Sequence, residues 1–192
     1  MKKDLSDYVK QYKSFLKEDI CDKTILELNK LNSDLWNQHT FFNIVKNTSV
    51  KLSGDQELST LYSKEISTKE IIMKELWTAI YNYIIDFKFS WFSGWKTYSE
   101  IRFNKYSENT KMAEHCDHIH SLFDGTEKGI PILSVLGILN DDYKGGEFIM
   151  FEKEEIKLNK GDLLIFPSIF LYPHKVEPIT KGTRYSFISW VW

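Results

Sequence analysis

HCDH at residues 115–118 and YPHKVEPITKGTRYS at residues 172–186 decide how this chain is read. His115 and Asp117 are two apart, so on a β-strand their side chains leave from the same face. His174 lies far along the sequence, where a second strand can carry its imidazole to the same point. Two histidines and one carboxylate form a facial triad. That set suits non-haem Fe(II), because three protein ligands leave positions open for a co-substrate and O2. The expected metal ligands are therefore His115, Asp117 and His174. His118 and His120 are also two apart, but they belong to the opposite face and read as a solvated strand end or loop. Cys116, between the ligands, is expected to face away from the metal as a small buried hydrophobe.

Arg184 sharpens this reading. The chain has 25 basic residues, and only Arg102 and Arg184 are arginines. Arg184 follows His174 by ten positions. A planar guanidinium grips a carboxylate with two parallel hydrogen bonds, which a lysine cannot do. Arg184 is thus expected to anchor the far carboxylate of 2-oxoglutarate. Ser186, two residues on and on the same strand face, is placed to donate to that carboxylate as well. Arg102 has two readings, a substrate-binding group or one half of a structural ion pair.

Around these motifs the chain changes character near residue 95. From Tyr98 onward, short apolar segments alternate with turn residues, at 98–106, 111–118, 131–139, 146–151, 154–158, 162–167, 171–177 and 183–191. Asp124-Gly125, Gly145-Gly146, Lys160-Gly161-Asp162 and Lys181-Gly182 punctuate them. Eight such strands predict a jelly roll. Before residue 95, helical patterns dominate. Cys21, Ile25, Leu28 and Leu31 follow the acidic pair Glu18-Asp19, after a short strand near residues 9–15. A capping-box pattern at Ser67–Glu70 precedes an apolar stripe running to about residue 88. Trp36, Phe41 and Phe42 are expected to pack, and Ser53-Gly54-Asp55 to turn. His39 and the tryptophans at 36, 91 and 95 are candidates for lining a substrate cleft, with core packing the other reading for the tryptophans. The expected fold is α+β: one domain over residues 1–192, with a mainly helical support at 1–95 and a jelly-roll core at 98–192.

Bulk properties narrow the function. The chain of 192 residues is 42% hydrophobic and 15% aromatic, enough for a substantial core. A net charge of −2 provides no footprint for nucleic acid or an anionic membrane. No apolar run is long enough to span a bilayer, and the N-terminus lacks the apolar stretch of a signal peptide. The two cysteines, Cys21 and Cys116, make no disulfide framework. Together these predict a cytoplasmic protein. No residue pattern sets an oligomeric state.

Residues 99–192 resemble the Fe(II)/2-oxoglutarate-dependent dioxygenases, and among them the prolyl 4-hydroxylase-like branch. The resemblance is carried by IRFNKY (101–106), HCD (115–117), SVLGILN (134–140), GGEFIMF (145–151), KGDLLIFPS (160–168) and PHKVEPITKGTRYSFISW (173–190). FLKEDICDKTILELNKL (15–31) is similar to the opening helix of that branch. The resemblance implies a double-stranded β-helix core and a catalytic set of His115, Asp117, His174 and Arg184. It also implies Fe(II), 2-oxoglutarate and O2 as reactants, and ascorbate as reductant. Related enzymes often place a tyrosine where Tyr106 stands, and it hydrogen-bonds 2-oxoglutarate there; a core aromatic is the other reading of Tyr106. Many relatives carry a tyrosine where this chain has Ile138, a loss of one hydroxyl that gives Tyr106 and Ser186 more to do. The implied reaction is hydroxylation of a peptide, protein or small-molecule substrate, with a prolyl side chain leading and residues 119–130 as a candidate lid. A nucleobase demethylase and a non-catalytic ligand-binding jelly roll are the rival readings.

Overall fold

Strict alternation along Arg184–Val191 builds the central strand. Arg184, Ser186, Ile188 and Trp190 share one face, and Tyr185, Phe187, Ser189 and Val191 the other. A computed structural model describes residues 3–43, 45–88, 94–117 and 129–192. In chain order its elements are β1 (Lys10–Tyr12), α1 (Glu18–Lys30), β2 (Asn37–Gln38), β3 (Phe41–Asn43), β4 (Thr48–Val50), β5 (Ser59–Leu61), α2 (Lys69–Phe87), β6 (Arg102–Tyr106), β7 (Met112–His115), β8 (Leu133–Ile138), β9 (Lys144–Gly145), β10 (Phe148–Met150), β11 (Glu154–Ile156), β12 (Leu163–Pro167), β13 (His174–Val176), β14 (Ile179–Lys181) and β15 (Arg184–Val191). Among the described residues, no helix is long and apolar enough to cross a membrane.

Two antiparallel sheets dominate. The larger runs β1-β12-β8-β15-β6-β5-β2, and the smaller runs β11-β10-β13-β7. Their inner faces meet in one core, where Tyr106, Leu136, Ile138, Leu164, Phe166 and Ile188 oppose Met112, Phe148, Met150 and Val176. The outer face of the larger sheet is covered by the helices. There Phe103, Val135, Ile165, Tyr185 and Phe187 pack on Leu28 of α1 and on Ile72, Leu76, Ala79 and Tyr83 of α2. Every residue of β8 is consequently buried. Each large side chain sealed this way contributes about 1.5–3 kcal/mol. This is a double-stranded β-helix, a jelly roll of two facing sheets, as the strand pattern predicts.

The helices form for local reasons. Glu18 and Asp19 complement the N-terminal end of the α1 dipole and Lys30 its C-terminal end. Cys21, Thr24 and Leu28 turn one face inward. The expected capping box at α2 does not form. Thr68 is the cap and makes no side-chain cap bond. Its hydroxyl meets Thr24 at 2.6 Å, while the Ser67 amide and hydroxyl both donate to Glu27 of α1. Helix-to-helix contacts thus outcompete the local cap.

The N-terminal half does more than supply helices. β1 extends the larger sheet at one edge, and β5 and β2 extend it at the other. Asp162 ties this half to the barrel by accepting from the Ser14 amide, Gln11 Nε2 and the Asn159 amide. From residue 98 on, the observed strands follow the predicted ones with four main differences, the first being that the strand expected over 111–118 ends at His115. Residues 98–101 form only a bridge, Tyr98 to Val191. The strand expected from 171 starts at His174, because Pro173 has no amide hydrogen for the ladder. β9 and β14 form an additional short ribbon.

Gly137 sits opposite Phe187 in the β8–β15 ladder, and a Cβ there would come 2.0 Å from the Phe187 ring. Gly137→Ala should therefore destabilise the protein by about 1–3 kcal/mol through overpacking. Adding Phe187→Leu should recover part of the loss. Urea denaturation of the single and double variants checks this; an unchanged midpoint for Gly137→Ala would mean the sheet does not need that vacancy.

Candidate active site

β7 and β13 are neighbours in the smaller sheet, and His174 stands opposite His115 in their ladder. Asp117 lies two residues past His115, just beyond the end of β7. One ligand atom from each of His115, Asp117 and His174 lies within 4.8 Å of the others. Asp117 Oδ1 is 3.4 Å from His115 Nε2 and 3.9 Å from His174 Nε2. The expected triad is thus assembled in space.

The backbone sets how these groups point. His115 Nδ1 lies 2.8 Å from the Ala113 carbonyl, and His174 Nδ1 lies 3.1 Å from the Tyr172 carbonyl. A carbonyl can only accept, so both Nδ1 atoms carry protons. In the neutral rings Nε2 then offers a lone pair. Asp117 Oδ2 accepts from Ser134 Oγ at 2.6 Å, and Ser134 Oγ meets Ser168 Oγ at 2.8 Å. Oδ1 is left facing the imidazoles. Burial opposes ionisation of Asp117, but its polar contacts with His115, His174 and Ser134 outweigh it and hold the carboxyl well below the usual carboxylate range. Burial, helped by His115, pushes His174 down to about 4, so it is neutral near pH 7. Asp117 Oδ1 and the two Nε2 atoms converge on one point, an arrangement that a divalent cation satisfies. Phe148 and Phe166 pack against the His174 ring, and Phe41 against His115. These rings restrict water and hold the imidazoles in place.

Arg184 starts β15 and is 1% exposed. Among the described residues no carboxylate pairs with it. Its Nε donates to Tyr143 Oη and its Nη1 to Ser186 Oγ, both at 3.2 Å. The Tyr106 ring lies 4.8 Å from the guanidinium carbon. Burial raises the Tyr106 pKa against the pull of Arg184, so the phenol stays a neutral donor. A buried charge stripped of its partner costs about 3–5 kcal/mol. Such a group is poised for an anion. Tyr106, Ser186 and Arg184 are all brought to one place, as expected. Ile138 lies opposite Ser186 and is fully buried. Tyr143, from the turn after β8, brings the hydroxyl that Ile138 cannot.

Above the triad is a cleft of about 370 Å³, lined by the β3–β4 hairpin through Phe41 and Phe42 and by His39, Arg102 and Trp190. Arg102 lines the cleft and makes no ion pair among the described residues. His39 lines the cleft as expected, whereas Trp36 and Trp95 pack against the helix-side core. Cys116 is not a buried hydrophobe: it is partly exposed, lines the cleft, and donates from Sγ to the Phe170 carbonyl at 3.3 Å. The strand ends at His115, so Cys116 is not turned into a sheet face. Trp91, His118, His120 and most of residues 119–130 lie outside the described residues. Sequence reasoning missed Ser134, Ser168, Tyr143 and Trp190. Ser134 had a usable signal, as the one polar side chain on the inner face of an apolar strand.

A model of the 2OG-Fe(II) oxygenase superfamily matches residues 101–192. A PKHD-type hydroxylase of Xylella fastidiosa (strain M12) is 36% identical over 107 residues, which cover 47% of this chain and 43% of the relative. The chain spans under half the length of the first curated relatives it matches. Among solved structures, a prolyl hydroxylase from Trichoplax adhaerens, in complex with a hypoxia inducible factor peptide fragment, aligns with a TM-score of 0.70 at 17% identity, covering 97% of this chain and 84% of that one. A Pseudomonas putida prolyl-4-hydroxylase aligns with a TM-score of 0.66 at 17% identity, covering 95% and 91%. At such identities the structural likeness establishes the fold.

Ser134 orients Asp117, and loss of such an outer hydrogen bond weakens a metal site about 10–100-fold. Ser134→Ala should lower Mn(II) affinity by that factor, read by electron paramagnetic resonance of free Mn(II). Ser168→Ala, one hydroxyl further out, should have a smaller effect. Equal affinity for Ser134→Ala and the parent would remove Ser134 from the site.

Proposed function

We propose, from the match of residues 101–192 to a model of the 2OG-Fe(II) oxygenase superfamily, that this chain is an Fe(II)- and 2-oxoglutarate-dependent hydroxylase of a peptidyl side chain, with proline the leading target. One observation carries the reading. Three ligand atoms converge on one point, and a buried arginine with no carboxylate partner among the described residues stands on the inner face of the opposing sheet.

In this reading His115, Asp117 and His174 hold Fe(II). Arg184 takes the far carboxylate of 2-oxoglutarate, with Ser186, Tyr143 and Tyr106 as the polar wall around it. When bound, the metal and co-substrate supply the oxidation: O2 and 2-oxoglutarate are converted to succinate and CO2 while a substrate C–H becomes C–OH. The protein's own contribution is placement. Ser134 keeps one carboxylate oxygen of Asp117 occupied, so the other is directed at the metal. The backbone carbonyls of Ala113 and Tyr172 hold the ring protons away from it. The apolar rings beside His115 and His174 keep water from the reacting atoms. Ascorbate, as the reductant that keeps iron divalent, belongs to the proposal.

Three features support a peptide substrate. The neighbouring folds are prolyl hydroxylases, one of them solved with a peptide fragment. Phe41, Phe42, Tyr62 and Trp190 give the cleft aromatic walls for an extended chain. The net charge of −2 does not favour nucleic acid.

Arg184→Lys should keep Mn(II) binding but raise the KM for 2-oxoglutarate, and Arg184→Ala should cost about 2–5 kcal/mol of co-substrate binding. An unchanged KM in Arg184→Ala would remove this anchor. The substrate class is tested by mass spectrometry of peptide and methylated-oligonucleotide libraries after incubation with Fe(II), ascorbate and 2-oxoglutarate. Gain of one oxygen atom on peptide proline, with succinate release, is the expected result. Oligonucleotide demethylation without peptide oxidation would overturn the peptide reading, and no succinate with any library would overturn the enzyme reading.

A further inference from the structure

The two arginines of the chain stand on neighbouring strands, β6 and β15, both on the inner face of the larger sheet. Arg184 pairs with Tyr106, and Arg102 pairs with Ile188. Four residues of strand separate them, about 13 Å at 3.3 Å per residue. They therefore serve two different places. Arg102 lies in the wall of the cleft that holds His115 and Asp117.

The Arg102 guanidinium is held but not neutralised. Its Nε donates to Asn104 Oδ1 at 3.1 Å, and the Trp190 ring lies 5.1 Å from its central carbon. These contacts fix the plane of the fork and leave its two terminal nitrogens without a hydrogen bond among the described residues. Among the described residues Asp117 is the one acid in the cleft wall, and Ser134 and the two imidazoles already engage it. His39, across the cleft, adds no negative charge. Its buried Nδ1 faces Glu57 Oε2 at 4.0 Å. A planar cation beside an aromatic ring, with its bidentate edge unengaged and one already-engaged acid in the cleft wall among the described residues, is built to receive a carboxylate.

We propose that Arg102 binds a carboxylate of the prime substrate at the cleft mouth, and so makes the chain selective for substrates with an acidic group close to the carbon that is oxidised. The inference rests on the oxygenase reading and deepens it. The carboxylate can belong to an Asp or Glu side chain beside the target residue, to a peptide C-terminus, or to a free amino acid.

The test uses the full chain loaded with Mn(II) and 2-oxoglutarate without O2. It is offered matched ligands: peptides with Asp or Glu against Asn or Gln beside proline, free against amidated C-termini, and free amino acids against their amides. Bound ligand is captured and weighed by mass spectrometry. The acidic member of one pair should be preferred about 10–100-fold, the worth of a hydrogen bond to a charged group. Which pair shows it identifies the source of the carboxylate. Arg102→Gln should abolish the preference, Arg102→Lys should restore part of it, and Arg102→Glu should reverse it, with thermal melts confirming that each variant folds. No acid preference in the parent, or a preference that survives Arg102→Gln, overturns the inference. Succinate release by the Fe(II)-loaded protein is read separately, so the oxygenase reading and the role of Arg102 fail on different measurements.

Discussion

One register governs the site: β13 pairs antiparallel with β7 so that His174 lies opposite His115. Because side chains alternate along a strand, a slip of one residue would turn one imidazole to the opposite face of the sheet. The ladder shifts register between His174 and Val176, so the pairing at the ligands is set locally and then relaxed. The β10 partner strand holds the other side, with Met150 opposite His174 and Phe148 opposite Val176. Core packing around Phe148, Phe166 and Val176 therefore acts on the metal geometry as well as on stability.

Charge completes what the register begins. The interior of the barrel carries a buried carboxylate, two imidazoles and a buried guanidinium, yet no direct pairing cancels Asp117 against Arg184. In a low-dielectric interior such separation is expensive unless other charges arrive. A divalent cation at the triad and a dicarboxylate reaching Arg184 would satisfy both ends together. Protein hydrogen bonds supply only orientation: Ser134 for Asp117, and Ser186 and Tyr143 for Arg184. The same logic places Arg102 apart, with its orienting contacts made and its charge unanswered among the described residues.

The larger sheet explains how a chain of this size holds such a costly interior. Covered on both faces, it contributes two cores from one set of strands, one against the helices and one against the smaller sheet. The helices thus support a wall whose other side carries Arg102, Asn104, Tyr106, Arg184 and Ser186. Gly137 marks how tightly that wall is packed, since the Phe187 ring occupies the space a side chain would need.

The amino-acid sequence by itself determined the strand pattern from residue 98, the two main helices, and the identity of the residues at the triad and at Arg184. These are local properties: period-two alternation, helical stripes, and a spacing of two that survives any fold in which 115–117 is extended. It did not determine the β9–β14 ribbon, whose strands are two and three residues long and too short to show a period. Nor did it reveal that the first half contributes β1, β2 and β5 to the larger sheet, because edge pairing depends on which backbone groups the fold leaves open. Ser134 reaches Asp117 across 17 residues, and Tyr143 reaches Arg184 across 41. Such contacts follow from the meeting of distant strands. The tertiary structure alone decided the orientation of the ligands, the lack of an ionic partner for either arginine among the described residues, and the cleft that Arg102 shares with the triad. Each depends on what surrounds a side chain once the sheets close on one another.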